Sequence, residues 1–479
     1  MSPTTDPDAD AASLTPTAVS CPAKVLVAGG YLVLDRAYTG LVFGLDARIH
    51  SVVEPIKTRS GVTITGIVVT SPQFREAIWE YGYRSLGEEG GIAVTQLSVG
   101  HEQSISASKN PFIETALAYA LTYIFTLLPN NLIRPSNIRI LADQAYYSNP
   151  GQPRTTTTSS SNPSRFPDFT VPLRDAHKTG LGSSAALVTS FTAALLSFYL
   201  PPSLFDLNTP QGQTILHNLA QASHSHAQGK VGSGFDIASA VYGSCLYKRF
   251  SPSLLSTLPA PGTPGFARNL KTLVEGPAWD TEIHKAAIQM PRHLRLVMCD
   301  VDCGSETPSM VKKVLAWRSA HREAADTLWS NLQAGNEALA KELTRLAQSP
   351  EPDETRYETL RTIIKSNRSL IREMGQQSGV PMEPRQQTRL LDYCSELEGV
   401  VGGVVPGAGG FDAVVLLVED KQDVLAKLKT ALEQYRDEDD ADAPGGVKIG
   451  KVGIIGVREE MVGVRQEDLG LYSEWESSS

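Results

Sequence analysis

The segment HKTGLGSSAALV, residues 177–188, constrains the chain more than any other. Two glycines, two serines and then a long apolar run describe a tight loop that opens directly into a buried helix. Gly180 and Gly182 let the backbone approach a ligand closely. Ser183 and Ser184 supply hydroxyls. A helix starting near Ala185 points its unsatisfied N–H groups at the same place, and helix N-termini attract anions. Lys178 stands just before the loop with a full positive charge. The plain alternative is a helix start with small residues for packing.

Two similar patterns are set aside. Gly180 to Ala185 also fits GxGxxA, the dinucleotide fingerprint, which needs a preceding buried strand and an acid about 20 residues later. LRDAHKT precedes the loop here, and the apolar run with Pro201-Pro202 follows it. GGVKIGKV at 445–452 nearly spells a Walker A loop, but Val452 replaces the required Ser or Thr and a strand pattern follows.

Around this loop the chain reads as mixed α and β. Residues 23–34 suggest two short strands about Gly29-Gly30, and 41–53 and 61–70 continue the β pattern. Residues 110–128 predict a helix, with Asn110 as cap, Pro111 at the first position and Pro129 as stop. The run 185–199 is apolar nearly all round, so its helix belongs inside the protein. Strands are expected at 242–250 and 294–301, and helices at 309–347, 353–377 and 386–399. The chain ends as strand 411–418, helix 421–435 and strand 451–457. Residues 148–167, almost without apolar content, are expected to be a disordered insertion, and 436–442 a solvated acidic loop.

Length and composition narrow the function. A chain of 479 residues suggests two domains, divided between about 250 and 290. A net charge of −9 with no long basic run argues against nucleic acid as partner. No run of about 20 apolar residues predicts a membrane span, and residues 1–18 lack a secretory pattern. Five scattered cysteines suit a reducing compartment, the cytoplasm. Cys299 and Cys303 lack two further ligands for a metal site. His224 and His226, two apart on a helix, face different sides and do not suggest one either.

Three more segments carry chemistry. QGKVGSGFDIASAVYG at 228–243 places glycines around Lys230 and leads to Asp236 at a helix start, where an acid can act as base or simply as cap. VVGGVVPGAGGFDAVVLL at 400–417 holds more glycines than a tight turn needs. Lys24 opens the first strand, where a cation can neutralise phosphate.

These segments, in this order, resemble the GHMP kinases. The N-terminal PxKxxxxGxYxVLD block is CPAKVLVAGGYLVLD, GLGSSAA stands unaltered at 180–186, and PGAGGFDAV at 406–414 resembles the C-terminal glycine motif. The resemblance spans roughly residues 20–460. Within the family, GGYLVLD at 29–35, DQAYYSNPG at 143–151 and KVGSGFDIASAVYGS at 230–244 most resemble the fungal and plant branch whose acceptor is 5-phosphomevalonate.

The resemblance implies an α+β fold: an N-terminal ATP-binding domain over 19–260 and a ferredoxin-like C-terminal domain over 285–462. Residues 1–18 would be a disordered start and 463–479 a tail. It implies ATP with Mg²⁺ as cofactors and the reaction ATP + 5-phosphomevalonate → ADP + 5-diphosphomevalonate, on the route to isoprenoids and sterols. Asp236, Lys24 and Lys178 would be catalytic. Gly180, Leu181, Gly182, Ser183, Ser184 and Ala185 would hold the nucleotide, with Ser183 or Ser184 near Mg²⁺ and Ser183 the first candidate. Lys230, Ser233, Ser305, Thr307 and Gly409 would contact the acceptor. Two departures stand out. The Pro often found before the GLGSSAA loop is absent. Residues 219–235 also contain no acid, where mevalonate kinases place a Glu on Mg²⁺. Another kinase of the family, mevalonate kinase above all, and a non-catalytic ligand sensor on the same scaffold remain as alternatives. The residues leave the oligomeric state open, a homodimer included.

Overall fold

The computed structural model describes residues 14–56, 66–97, 109–128, 133–148, 165–302, 310–349, 357–437 and 449–475. Expectations for 149–164, for Cys303, Ser305 and Thr307, and for most of the acidic loop lie outside these residues.

The chain begins with a long hairpin. β1 (Thr17–Ala28) pairs antiparallel with β2 (Thr39–Pro55). Val and Ile on both faces make it a buried pair, with Val19, Ala23, Phe43 and Leu45 fully covered. Pro22 cannot donate to a ladder, and the register shifts between Pro22 and Ala23. Lys24 lies directly after this irregularity. The strand expected beyond Gly30 is instead a turn of 3-10 helix, Leu32–Leu34. Tyr31, with φ 64° and ψ −42°, turns the chain there.

The other edge of β2 continues the sheet. Following β3 (Ile67–Thr70), β4 (Ile78–Ser85) and β5 (Ile92–Gln96) come helix α1 (Pro111–Leu127) and β6 (Ser136–Ala142). Asn110 caps α1 as expected, its Oδ1 accepting from Ile113 N at 3.3 Å. Three helices follow: α2 (Ser183–Tyr199), α3 (Pro210–Ala227) and α4 (Phe235–Tyr242). With β7 (Cys245–Lys248) and β8 (Glu282–His284) the sheet runs β8-β7-β2-β6-β3-β4-β5, antiparallel except where β3 meets β6. Helix α2 packs on β1 and β2 and against α1, α3 and α4. Its Val188, Phe191, Leu195 and Leu196 are buried, each worth roughly 1.5–3 kcal/mol over exposure. That burial fixes where its N-terminus points.

A second sheet forms from β9 (Leu294–Val301), β10 (Val400–Val404), β11 (Ala413–Glu419) and β12 (Val452–Ile455). The spatial order is β10-β11-β9-β12, antiparallel throughout. Helices α5 (Met310–Ala320), α6 (Arg322–Ala347), α7 (Glu358–Ser378) and α8 (Arg385–Ser395) join β9 to β10, and α9 (Gln422–Gln434) joins β11 to β12. This is the β-α-β-β-α-β arrangement of a ferredoxin-like unit. The helix expected over 309–347 is two, parted at His321.

The chain then returns to the first sheet. Glu459–Glu460 pairs with β2 and Arg465–Gln466 with β1. Tyr472, 1% exposed, closes over His50 with its hydroxyl 2.9 Å from Nδ1. Arg48, buried, donates to the carbonyls of Ser20 and Gly463. No helix among the described residues is long and apolar enough to cross a membrane.

Candidate active site

The site starts at the open end of α2. Gly182 is its N-cap residue with φ 82° and ψ 44°, and no side chain caps the helix. Its first N–H groups are therefore free to meet an anion. Leu181 and Ala185, each 1% exposed, turn their side chains into the core, so they can serve a ligand only through the backbone. Ser183 and Ser184 are half-buried beside it. The loop before the helix is tied down at Thr179, which donates to Tyr146 O through N at 3.2 Å and to Ala145 O through Oγ1 at 2.6 Å.

Lys24 crosses under this loop. Its N–H donates to Leu181 O at 3.2 Å, and its Nζ lies 5.7 Å from the centre of the Phe235 ring. The side chain is half-buried. Burial draws its ammonium below the usual lysine range, and the Asp236 carboxylate acts to raise it again.

Asp236 stands in the first turn of α4, with Oδ1 accepting from Ile237 N at 3.0 Å. Gly234, with φ 84°, starts that helix. A β-carbon there would come within 2.6 Å of Tyr247 Oη and 2.8 Å of Gln221 Oε1, so only glycine fits. The connection from α3 is braced from outside. Tyr247 Oη donates to Ser233 O at 2.8 Å, and Arg249 donates to Gly232 O at 2.6 Å and Leu34 O at 2.6 Å.

A cleft of ≈ 590 Å³ opens beside Lys24 and the loop that leads into α2, within the range of small-molecule sites. One wall is Lys24–Leu26 with His177–Gly180. The other is the end of β9, Asp300–Asp302, with Val405–Gly409 and Asp412. The walls are laced at the back: Gly407 N donates to Leu26 O at 2.9 Å and Tyr31 Oη to Ala408 O at 2.6 Å. Burial raises the Asp412 carboxyl above the usual range, with His177 acting against it.

The comparisons with known proteins agree on one family. Residues 164–244 match the GHMP kinases N terminal domain. The chain is 50% identical over 464 residues to Phosphomevalonate kinase ERG8 of Gibberella zeae, covering 96% of this chain and 98% of that one. It is 47% identical over 489 residues to Phosphomevalonate kinase erg8 of Aspergillus fumigatus, again covering 96% and 98%. The chain belongs to the phosphomevalonate kinase family of the GHMP kinases. The fold agrees with that of Streptococcus pneumoniae phosphomevalonate kinase, solved in complex with phosphomevalonate and AMPPNP. The TM-score is 0.56 at 16% identity, covering 94% of this chain and 99% of that one.

For a GHMP kinase, the candidate residues divide clearly. The structure brings Lys24, Leu181, Gly182 and Asp236 together, and places Lys178, Gly180 and Gly409 on the same cleft. Lys178 is exposed at its mouth. Lys230 is exposed on the α3–α4 connection and Ser233 is held by Tyr247; neither lines the cleft. Burial raises the Tyr147 phenol, and the Ser183 hydroxyl acts to lower it.

Sequence reasoning passed over His224, Tyr31 and the carboxylates of the second wall. His224 and His226 do face different sides, one 2% exposed and the other exposed. His224 lies against Ser184, its Nε2 3.1 Å from Oγ. The signal was a polar stripe at helical spacing in an otherwise apolar face: His217, Gln221, His224 and Ser225 on α3, all buried.

Proposed function

We propose that this chain transfers the γ-phosphoryl group of ATP to the phosphate of 5-phosphomevalonate, giving ADP and 5-diphosphomevalonate. The sequence identity to phosphomevalonate kinases across almost the whole chain carries the choice of acceptor. The juxtaposition of Lys24 and Asp236 with the uncapped start of α2 supports the chemistry.

The free N–H groups at Gly182–Ala185 hold the nucleotide phosphates, and Lys178 adds charge from the mouth of the cleft. Phosphoryl transfer depends mostly on positioning and charge neutralisation. Lys24, half-buried beside Asp236, offers its ammonium to the oxygens between the two phosphates. The acceptor is a phosphate monoester with a second pKa near 6, so at neutral pH its attacking oxygen already carries an electron pair. That oxygen bonds to the γ-phosphorus while the bond to the β-phosphate oxygen breaks. Asp236 is then required to hold Lys24 charged and aligned more than to take a proton.

Mg²⁺ usually binds through one or two carboxylates together with substrate phosphates. Among the described residues no cluster of three metal-ligating side chains exists. The donors present fit an ion that arrives with the nucleotide: the Asp236 carboxylate and the hydroxyls of Ser183 and Ser184 would hold it, and it would neutralise phosphate charge. For the acceptor, Gly409 lines the cleft, and Lys230 and Ser233 lie on the α3–α4 connection that leads to Asp236. The four described cysteines are unpaired and buried, which supports a reducing compartment and the cytoplasmic reading.

The test is ADP release by the purified protein with ATP and Mg²⁺ on 5-phosphomevalonate, mevalonate, galactose and homoserine in parallel. Turnover on 5-phosphomevalonate alone supports the proposal. Turnover on mevalonate alone replaces the acceptor and leaves the fold and nucleotide site standing. ATP binding without turnover on any of them favours a sensor.

A further inference from the structure

His224 makes two contacts through a single ring nitrogen. Its Nε2 is 3.1 Å from Ser184 Oγ and 3.3 Å from Gln228 Nε2. An amide nitrogen can only donate, so Nε2 carries a lone pair and the ring proton sits on Nδ1. The Ser184 hydroxyl, facing the same lone pair, can then only donate to it. Its own lone pairs are left to point elsewhere, and the residue stands in the first turn of α2 where the phosphates are held.

We infer that His224 is a positioning residue: by accepting the Ser184 hydroxyl proton it makes Ser184 an acceptor only, and so selects a cation-complexed nucleotide over a bare one. A bare phosphate offers acceptors and needs donors, so an acceptor-only hydroxyl gains nothing from it. A phosphate carrying a divalent cation offers an electrophile that such a hydroxyl can meet. The surroundings hold the arrangement. His224 is 2% exposed, and the Phe112 ring lies 5.6 Å from its own. The inference rests on the nucleotide site proposed above and is independent of the acceptor.

The test is calorimetric titration of the intact protein with ADP, once with Mg²⁺ and once with a chelator. The wild-type protein is expected to bind Mg·ADP at least tenfold more tightly than free ADP. His224→Leu and Ser184→Ala should each cut that ratio by about tenfold, while free ADP binds as before or more tightly. His224→Gln, whose Oε1 can accept at similar reach, should restore most of the ratio. Their effects should not add in the double variant. In steady state the KM for ATP should rise with the KM for the acceptor unchanged. Equal weakening of both ADP forms, additive losses, or no rescue by glutamine would overturn the inference while leaving the kinase reading intact. Failure to bind any nucleotide would overturn both. If His224→Leu does not fold, nitrogen-15 NMR of histidine-labelled wild-type protein decides. A pyridine-type Nε2 at His224 is required, and a protonated Nε2 contradicts it.

Discussion

The Lys24 side chain lies across Gly182, so closely that a β-carbon at 182 would stand 2.6 Å from Lys24 Cε. The contact is with a flexible side chain, which can move. The strain of a left-handed backbone at φ 82° is fixed, roughly 1–2 kcal/mol for a non-glycine residue. Gly182→Ala is therefore expected to remain folded, with a melting temperature lowered by a few degrees. Turnover should fall tenfold or more, because the lysine is displaced. Equal turnover with the same stability loss would show that Lys24 need not sit where it does.

The Asp236 carboxylate opposes the burial cost of the Lys24 ammonium. Lys24→Met should lower kcat about 10²–10³-fold, the size found when one charge-stabilising donor is removed. Asp236→Asn should lower it comparably. Because each residue acts through the other, the double variant should lose far less than the product of the two. Kinetics of the four proteins check this. Strictly multiplicative losses would mean that they act separately.

Tyr31 joins the two sheets at the back of the cleft. Its hydroxyl donates to Ala408 O at 2.6 Å from a residue 4% exposed. Tyr31→Phe should cost about 0.5–1.5 kcal/mol of stability, the usual net worth of such a bond. It should also raise the KM for the acceptor more than that for ATP, since Gly407–Gly409 line the cleft and α2 does not depend on them. Urea unfolding and the two KM values measure both effects.

Acid should weaken the fold through His217. It is 2% exposed, and burial lowers its pKa to about 4 from 6.5. Between these values the unfolded chain binds a proton that the folded one does not. Stability is therefore unaffected above 6.5 and falls as the pH drops towards 4, by about 2 kcal/mol at pH 5. His50, also lowered by burial, acts in the same direction. His217→Gln should lose less stability than the wild type between pH 7.5 and pH 5, measured by urea midpoints.

The parts of the fold set by local chemistry were legible in the sequence. Asn110 and Pro111 mark the start of α1, and the apolar run after Ser184 predicts a buried helix that the structure carries from Ser183 to Tyr199. Long-range pairing was not. The outer edge of β1 is covered where Val19 and Ser20 find Gln466 and Arg465, more than 400 residues away. Nothing near Tyr31 announced its hydroxyl contact to Ala408 or the positive φ at which it opens the 3-10 turn. At the site, glycines and charges were visible because their spacing is local. His224 was passed over because its partner, Ser184, comes from another helix.

The central claim is that the acceptor is itself a phosphate. Phosphorus-31 NMR of the reaction with ATP, Mg²⁺ and 5-phosphomevalonate tests it most directly. The account predicts loss of the phosphomonoester resonance and growth of a diphosphate pair in step with ADP. An unchanged monoester signal, together with a new monoester formed from mevalonate under the same conditions, would contradict it.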